Sequence, residues 1–133
     1  MKKTIVCNLF LVAMAVTAFV GCSDRVAVTG TVTYADGSPL QVGQVVFTDG
    51  KFAFRGPIDK KGAYKLGGTK SGDGIIPGQY SVYLIDTDTT ESTESGGTRF
   101  VSFVARKFTS PETSELTCEI KGKMTFDFKV ERP

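Results

Sequence analysis

The chain contains no histidine and no tryptophan. The first absence removes the commonest general base and the commonest zinc ligand. The second removes the flat aromatic best suited to stacking on sugar rings. From residue 26 onward no stretch sustains a 3.6-residue apolar period, which argues against an amphipathic helix anywhere in the body of the chain. Only three cysteines occur, at positions 7, 22 and 118. A disulfide framework is therefore ruled out as the source of stability.

Charge and hydropathy separate the N-terminus from the rest. Lys2 and Lys3 precede an apolar run from Ile5 to Val20, in which only Asn8 and Thr17 are clearly polar. The run falls short of the roughly 20 residues a spanning helix needs, and its basic start and small-residue exit describe an export signal. A buried helix or a retained anchor is the competing assignment. The exit Phe19-Val20-Gly21-Cys22-Ser23-Asp24 resembles the lipobox of bacterial lipoproteins, although Phe19 replaces the usual leucine. The resemblance implies diacylglycerol on the Cys22 sulfur, further acylation such as palmitate, and cleavage that leaves Cys22 first. Ordinary cleavage after Val16-Thr17-Ala18 would instead leave Cys22 as a free thiol. The expected organisation is a lipoprotein signal peptide at 1–21, a lipidated tether at 22–25 and one domain at 26–133. Removing 1–21 takes two of the sixteen basic residues and no acid, leaving fourteen of each. A balanced mature chain lacks the basic excess that nucleic-acid binding requires. Cys118, alone in the domain, shares a face with Leu116 and Ile120 and reads as a small buried apolar residue.

The domain reads as strands separated by turns. Residues 26–34 alternate with period two, and Asp36-Gly37-Ser38-Pro39 is turn chemistry. Val45-Val46-Phe47 leads into Asp49-Gly50, a hairpin signal. Phe52, Phe54 and Ile58 then share a face, opposite Ala53 and Arg55. Residues 59–62 turn the chain into Ala63-Tyr64-Lys65-Leu66, and a glycine-rich stretch precedes Tyr80, Val82 and Leu84. Leu116 to Ile120 and Met124 to Val130 flank the turn Lys121-Gly122-Lys123 and read as the clearest pair. Seven short strands predict an all-β sandwich or barrel. The expected core is Val32, Phe47, Leu66, Tyr80, Val82, Leu84, Leu116, Cys118, Phe126 and Phe128. The connection at 86–115 is too long for a plain loop. Its acidic, polar first part (87–97) is expected to be mobile. Its second part carries Phe100, Val101, Phe103, Val104 and Phe108, and is expected to form an extra strand or a covering segment. Ser110-Pro111-Glu112 suits the start of a single helical turn.

Four motifs, in order, carry a resemblance: Val28-Thr29-Gly30-Thr31-Val32-Thr33-Tyr34-Ala35-Asp36-Gly37-Ser38-Pro39-Leu40, Val45-Val46-Phe47, Asp59-Lys60-Lys61-Gly62-Ala63-Tyr64 and Pro77-Gly78-Gln79-Tyr80-Ser81-Val82. Together they resemble carboxypeptidase-regulatory-like domains, including those of small bacterial lipoproteins. The resemblance implies a transthyretin-like (prealbumin-like), seven-stranded Greek-key β-sandwich. It also implies glycine where this chain has Glu115.

Fold does not fix function, and little catalytic chemistry is on offer. Hydroxyisourate hydrolases share the implied fold, but rely on histidines and a C-terminal Tyr-Arg-Gly-Ser motif. This chain has neither, ending Val130-Glu131-Arg132-Pro133. The acids Asp86, Asp88, Glu91 and Glu94 lack the spacing and glycine of a calcium loop. The glycines at 67–78 precede no helix, so a phosphate-binding reading fails. No catalytic, cofactor or metal residue is nominated, and Cys22, as the lipidation site, is the one site residue. The expectation is a non-catalytic, lipid-anchored envelope module, held through Cys22 at the outer membrane, with a structural or protein-interaction role. A carbohydrate-binding or uptake accessory lipoprotein is the alternative, and an enzyme built from carboxylates alone is a third reading.

Overall fold

The computed structural model describes residues 25–133 except residue 71. The signal segment and Cys22 therefore lie outside the described residues. The fold is an all-β sandwich. In one sheet β1 (Val28–Tyr34) lies between β4 (Ala63–Lys65), antiparallel to it, and β9 (Met124–Thr125) with β10 (Phe128–Val130), both parallel to it. The other sheet runs β3 (Ala53–Pro57), β2 (Gln44–Thr48), β5 (Gly78–Ile85), β8 (Leu116–Ile120), antiparallel throughout. A separate ribbon pairs β6 (Asp88–Ser92) with β7 (Thr98–Ser102). No described helix is long and apolar enough to cross a membrane.

Period-two patterning sets the faces. In β1, Val28, Val32 and Tyr34 are buried while the intervening threonines are half-buried. In β5, Tyr80, Val82 and Leu84 point the same way. The two sheets meet through aromatic contacts such as Phe47 edge-on to Phe126, with ring centroids 5.8 Å apart. Complete burial of Phe47 is worth about 2–3 kcal/mol. Of the expected core, Leu116 and Phe126 are half-buried against the cluster and the other residues are buried. Phe126 lies in the break between β9 and β10, at the edge of the sheet that holds β1.

Two expectations are corrected. Phe52 does not join Phe54 on the inner face; it is 49% exposed. The Asp49 carboxylate accepts the N–H groups of Phe52 (2.7 Å) and Lys51 (2.8 Å), tying Phe52 into the turn before β3 begins. Those bonds hold the Asp49 carboxyl below the usual carboxylate range. The last two strands also do not pair with each other. Lys121-Gly122-Lys123 carries the chain from one sheet to the other, and the final strand runs parallel to the first.

That parallel seam has a side-chain junction at its middle. The same register holds on both sides of residues 126–127, and by it Thr31 should donate to the Phe126 carbonyl. Thr31 donates instead to the Asp127 carboxylate at 2.8 Å, and the Tyr64 hydroxyl donates to the Phe126 carbonyl. Gly30 sits directly beneath this exchange. A Cβ there would meet the Phe126 carbonyl oxygen and the Tyr64 hydroxyl.

Gly30→Ala is therefore expected to cost about 2–4 kcal/mol, through overpacking and disruption of the tyrosine bond. Chemical denaturation measures this, and a loss below about 1 kcal/mol would contradict the packing described. Burial also pushes the Tyr64 hydroxyl well above the ordinary tyrosine range, and Tyr34 and Tyr80 shift the same way by the same cause. The folded state favours the neutral form, so this contribution is complete below the unfolded value near pH 10 and falls as pH rises beyond it. In an alkaline titration, tyrosinate absorbance from Tyr64, isolated by comparison with Tyr64→Phe, should emerge together with loss of the β-sheet circular dichroism signal. Ionisation of Tyr64 within an intact fold near pH 10 would count against the burial.

Candidate functional site: the cleft under the ribbon

Beyond Ile85 the chain turns sharply. Asp86 takes a left-handed conformation (φ +55°), which aspartate tolerates better than most residues. Its carboxylate accepts from the Gln44 amide at 2.8 Å. Thr87 is buried, and its carbonyl accepts the Phe103 N–H at 3.0 Å, closing the base of the β6–β7 ribbon. The ribbon turns at 93–97, where the Thr93 hydroxyl accepts from Gly97 at 2.9 Å and Gly96 supplies a positive φ. Arg99 and Glu91, directly opposite each other, form an ion pair at 3.0 Å. Where the sequence reads as unstructured, threonine-rich pairing thus builds a two-stranded element.

All of β6 is exposed, and Phe100 of β7 is 79% exposed. The ribbon is held only at its foot. Val104 and Phe108 enter the core, the Tyr34 hydroxyl donates to the Phe103 carbonyl at 2.8 Å, and Ala105 donates to the Glu131 carbonyl at 2.8 Å. The expectation of an extra strand or a covering segment is thus divided in two: Thr98–Ser102 forms the strand, and the residues after it do the covering.

Between ribbon and sandwich lies an open cleft of about 530 Å³. Leu84 and Val104 lie buried beneath its floor, Phe100 contributes an exposed aromatic, and Asp86, Asp88 and Arg106 contribute charge of both signs. This combination can stack on, ion-pair with and hydrogen-bond a ligand. Two of its hydroxyls donate to backbone carbonyls, Ser102 to Val104 at 3.0 Å and Thr109 to Arg106 at 2.7 Å. Neither hydroxyl is aimed at a base. The four acids of the sequence run do not converge. Asp86 binds Gln44 and Glu91 binds Arg99, and Asp88 and Glu91, three positions apart in one strand, face opposite sides. No group of three or more potential metal-ligating residues occurs among the described residues. Sequence reasoning missed the meeting of Phe100 and Arg106 with Asp86 and Asp88. The available signal was the pair of β-branched runs around Gly96-Gly97.

The returning chain packs on β5. Ser114 donates its N–H to the Ser110 carbonyl at 3.0 Å, forming a single helical turn, and its buried hydroxyl donates to the Val82 carbonyl. Cys118 is buried, which pushes its thiol pKa up. Tyr83 is half-buried on the outer face, opposite Val46.

No protein-family model and no curated protein matches the chain. Two solved structures are similar to it. One is a DUF3823 family protein from Bacteroides ovatus, with 15% identity, a TM-score of 0.43, and coverage of 80% of this chain and 44% of that one. The other is a 9R-lipoxygenase from Cyanothece, with 13% identity, a TM-score of 0.35, and coverage of 80% and 16%. The chain spans less than half the length of either, and likenesses this distant carry no functional argument.

Glu115, where the resemblance implies glycine, adopts φ +58°. Left-handed backbone costs a residue with a Cβ about 1–2 kcal/mol, part of which glycine returns through its freer unfolded chain. Glu115→Gly is expected to stabilise the fold by roughly 0.5–1 kcal/mol. A thermal melt shifted upward by a few degrees is the readout, and a lower melting temperature would contradict the strain.

Proposed function

We propose that this protein is an exported, lipid-anchored envelope module that holds its cleft end away from the membrane and binds a partner there without catalysis. The observation that carries this reading is the opposition of the two ends. Arg25, three residues after Cys22, pairs with Asp73 at 3.3 Å beside the start of β1. The ribbon is tied to Tyr34 at the other end of that strand. Six steps along β1 separate the two by about 20 Å. The lipobox resemblance supplies the anchor, and the outer membrane is the proposed location.

Supporting the carboxypeptidase-regulatory-like reading, β9 and β10 share one register with β1 and make a single interrupted strand. Counted so, the two facing sheets hold seven strands. Gly37 and Gly62, within the motifs of the resemblance, take positive φ as tight turns require.

A protein partner is favoured because both ribbon strands have free edges, which accept an added strand, and because Phe100 stands exposed beside them as an anchor. A glycan is the second reading, favoured by that aromatic beside Asp86, Asp88 and Arg106. Intact mass of the membrane-extracted protein tests the anchor. The expected species begins at Cys22 and carries a diacylglycerol adduct, and Cys22→Ala abolishes it. An unmodified chain beginning at Phe19 would end the lipoprotein reading. For the binding end, Phe100→Ser is expected to reduce capture of an envelope protein at least tenfold, whereas a glycan array that lights up and loses signal in the same variant would favour the second reading.

A further inference from the structure

We infer that the Arg25 end of the sandwich is itself a membrane-contact surface, seating on anionic phospholipid headgroups. The inference rests on the lipid-anchor reading for its geometry. Only Ser23, Asp24 and Arg25 lie between Cys22 and Val26, and three extended residues reach about 10 Å. A bilayer holding the Cys22 lipid is therefore within touch of whatever loops surround Arg25.

Those loops are defined by hydrogen bonds and strand ends. Val26 pairs with Ile75, and the Met124 N–H reaches the Ala27 carbonyl at 3.1 Å, which brings the 67–77 and 121–123 connections here. The Arg25 guanidinium lies 6.0 Å from the Phe54 ring, next to the 49–52 turn. Four lysines gather on these loops: Lys51, Lys70, Lys121 and Lys123. Two acids of the same loops, Asp49 and Asp73, are engaged by backbone amides. Asp49 accepts the N–H groups of Lys51 and Phe52, and Asp73 accepts those of Gly68, Thr69 and Lys70 and pairs with Arg25. Lys121 has a loose, exposed partner in Glu119 at 3.8 Å. Lys70 and Lys123 have no ion partner among the described residues. The cations thus face solvent while the anions cap backbone.

Exposed apolar groups stand among them. Phe52 is 49% and Ile76 41% exposed, and the Lys51 ammonium lies 5.4 Å from the Phe52 ring centroid. Two exposed apolar side chains at the same end as these lysines match a surface that offers both hydrocarbon and negative charge. The other exposed large apolar residues, Phe100 and Phe103, belong to the ribbon end.

The test uses the chain from residue 22 onward carrying Cys22→Ser, which keeps every residue of the core cluster. Flotation with vesicles of phosphatidylcholine alone, or of phosphatidylcholine with phosphatidylglycerol, measures binding. The bound fraction should rise with phosphatidylglycerol and fall as salt goes from about 0.1 M to about 1 M, where screening shortens from about 10 Å to about 3 Å. Lys121→Glu with Lys123→Glu should lower the partition coefficient about tenfold or more. Phe52→Ser should lower it as well, and Phe100→Ser should not change it. Unchanged melting temperatures will show that the variants remain folded. No binding, equal binding to both vesicles, or indifference to the lysine reversals would overturn the inference. Failure of the anchor appears elsewhere, in the intact mass at Cys22. A lipidated cysteine without vesicle binding removes this surface alone, and binding by a chain that is never lipidated removes the anchor alone.

Discussion

The exchange of partners at Phe126 is the constraint around which the sandwich closes. A parallel pair of first and last strands needs its slanted hydrogen bonds unbroken, yet the Phe126 carbonyl serves Tyr64 and the Asp127 carboxylate stands in for it at Thr31. The substitution links three strands at one point, because Tyr64 belongs to β4, Thr31 to β1 and Asp127 to the closing edge. It also explains why the middle of β1 has no side chain. Glycine interrupts a run of threonine and valine where a strand interior normally loses stability by it, and here the missing Cβ is the room the tyrosine hydroxyl occupies.

Strand direction determines which loops share an end. β8 runs antiparallel to β5 and ends opposite Gly78, so Lys121 and Lys123 follow it at the Arg25 end, and a final strand that starts there must run parallel to β1. The ends consequently differ in kind. One is compact, with its carboxylates folded onto backbone amides. The other extends into a ribbon, with ion pairs such as Lys107–Glu131 (2.8 Å) and Arg132–Asp36 (3.3 Å) spread across its foot. Arg132 further stacks on the Tyr34 ring at 3.9 Å, beside the hydroxyl that holds Phe103.

Much of the sandwich was legible in the sequence, because period-two burial leaves its mark wherever one face meets a core. Val32, Phe47, Val82 and Phe128 follow from that rule alone. What was not legible has physical causes. Phe52 has the parity of the inner face, but the Asp49 carboxylate captures its amide before pairing begins. The 121–123 turn looks like a hairpin because nothing in a strand's own residues specifies which sheet it joins. The β6 half of the ribbon escaped notice because its pairing buries no apolar face, so no hydrophobic alternation exists to detect. The cleft was missed with it. Its residues meet only once the ribbon has formed, and Asp86 with Arg106 are twenty positions apart. Glu115 shows the reverse case, in which an unexpected residue identity marked the position of a left-handed backbone.

The ribbon contributes no residue of its own strands to the buried core. In thermodynamic terms it is nearly decoupled from the body that carries it: substitutions in β6 or β7 change local pairing and leave the packing of Phe47, Tyr64 and Leu84 untouched. A two-stranded element of this kind is marginal by itself, so its population of open and closed forms is set locally. The part of the surface proposed to meet a partner is thus the part whose sequence the fold constrains least. New binding preferences can be written there without drawing on the stability of the sandwich.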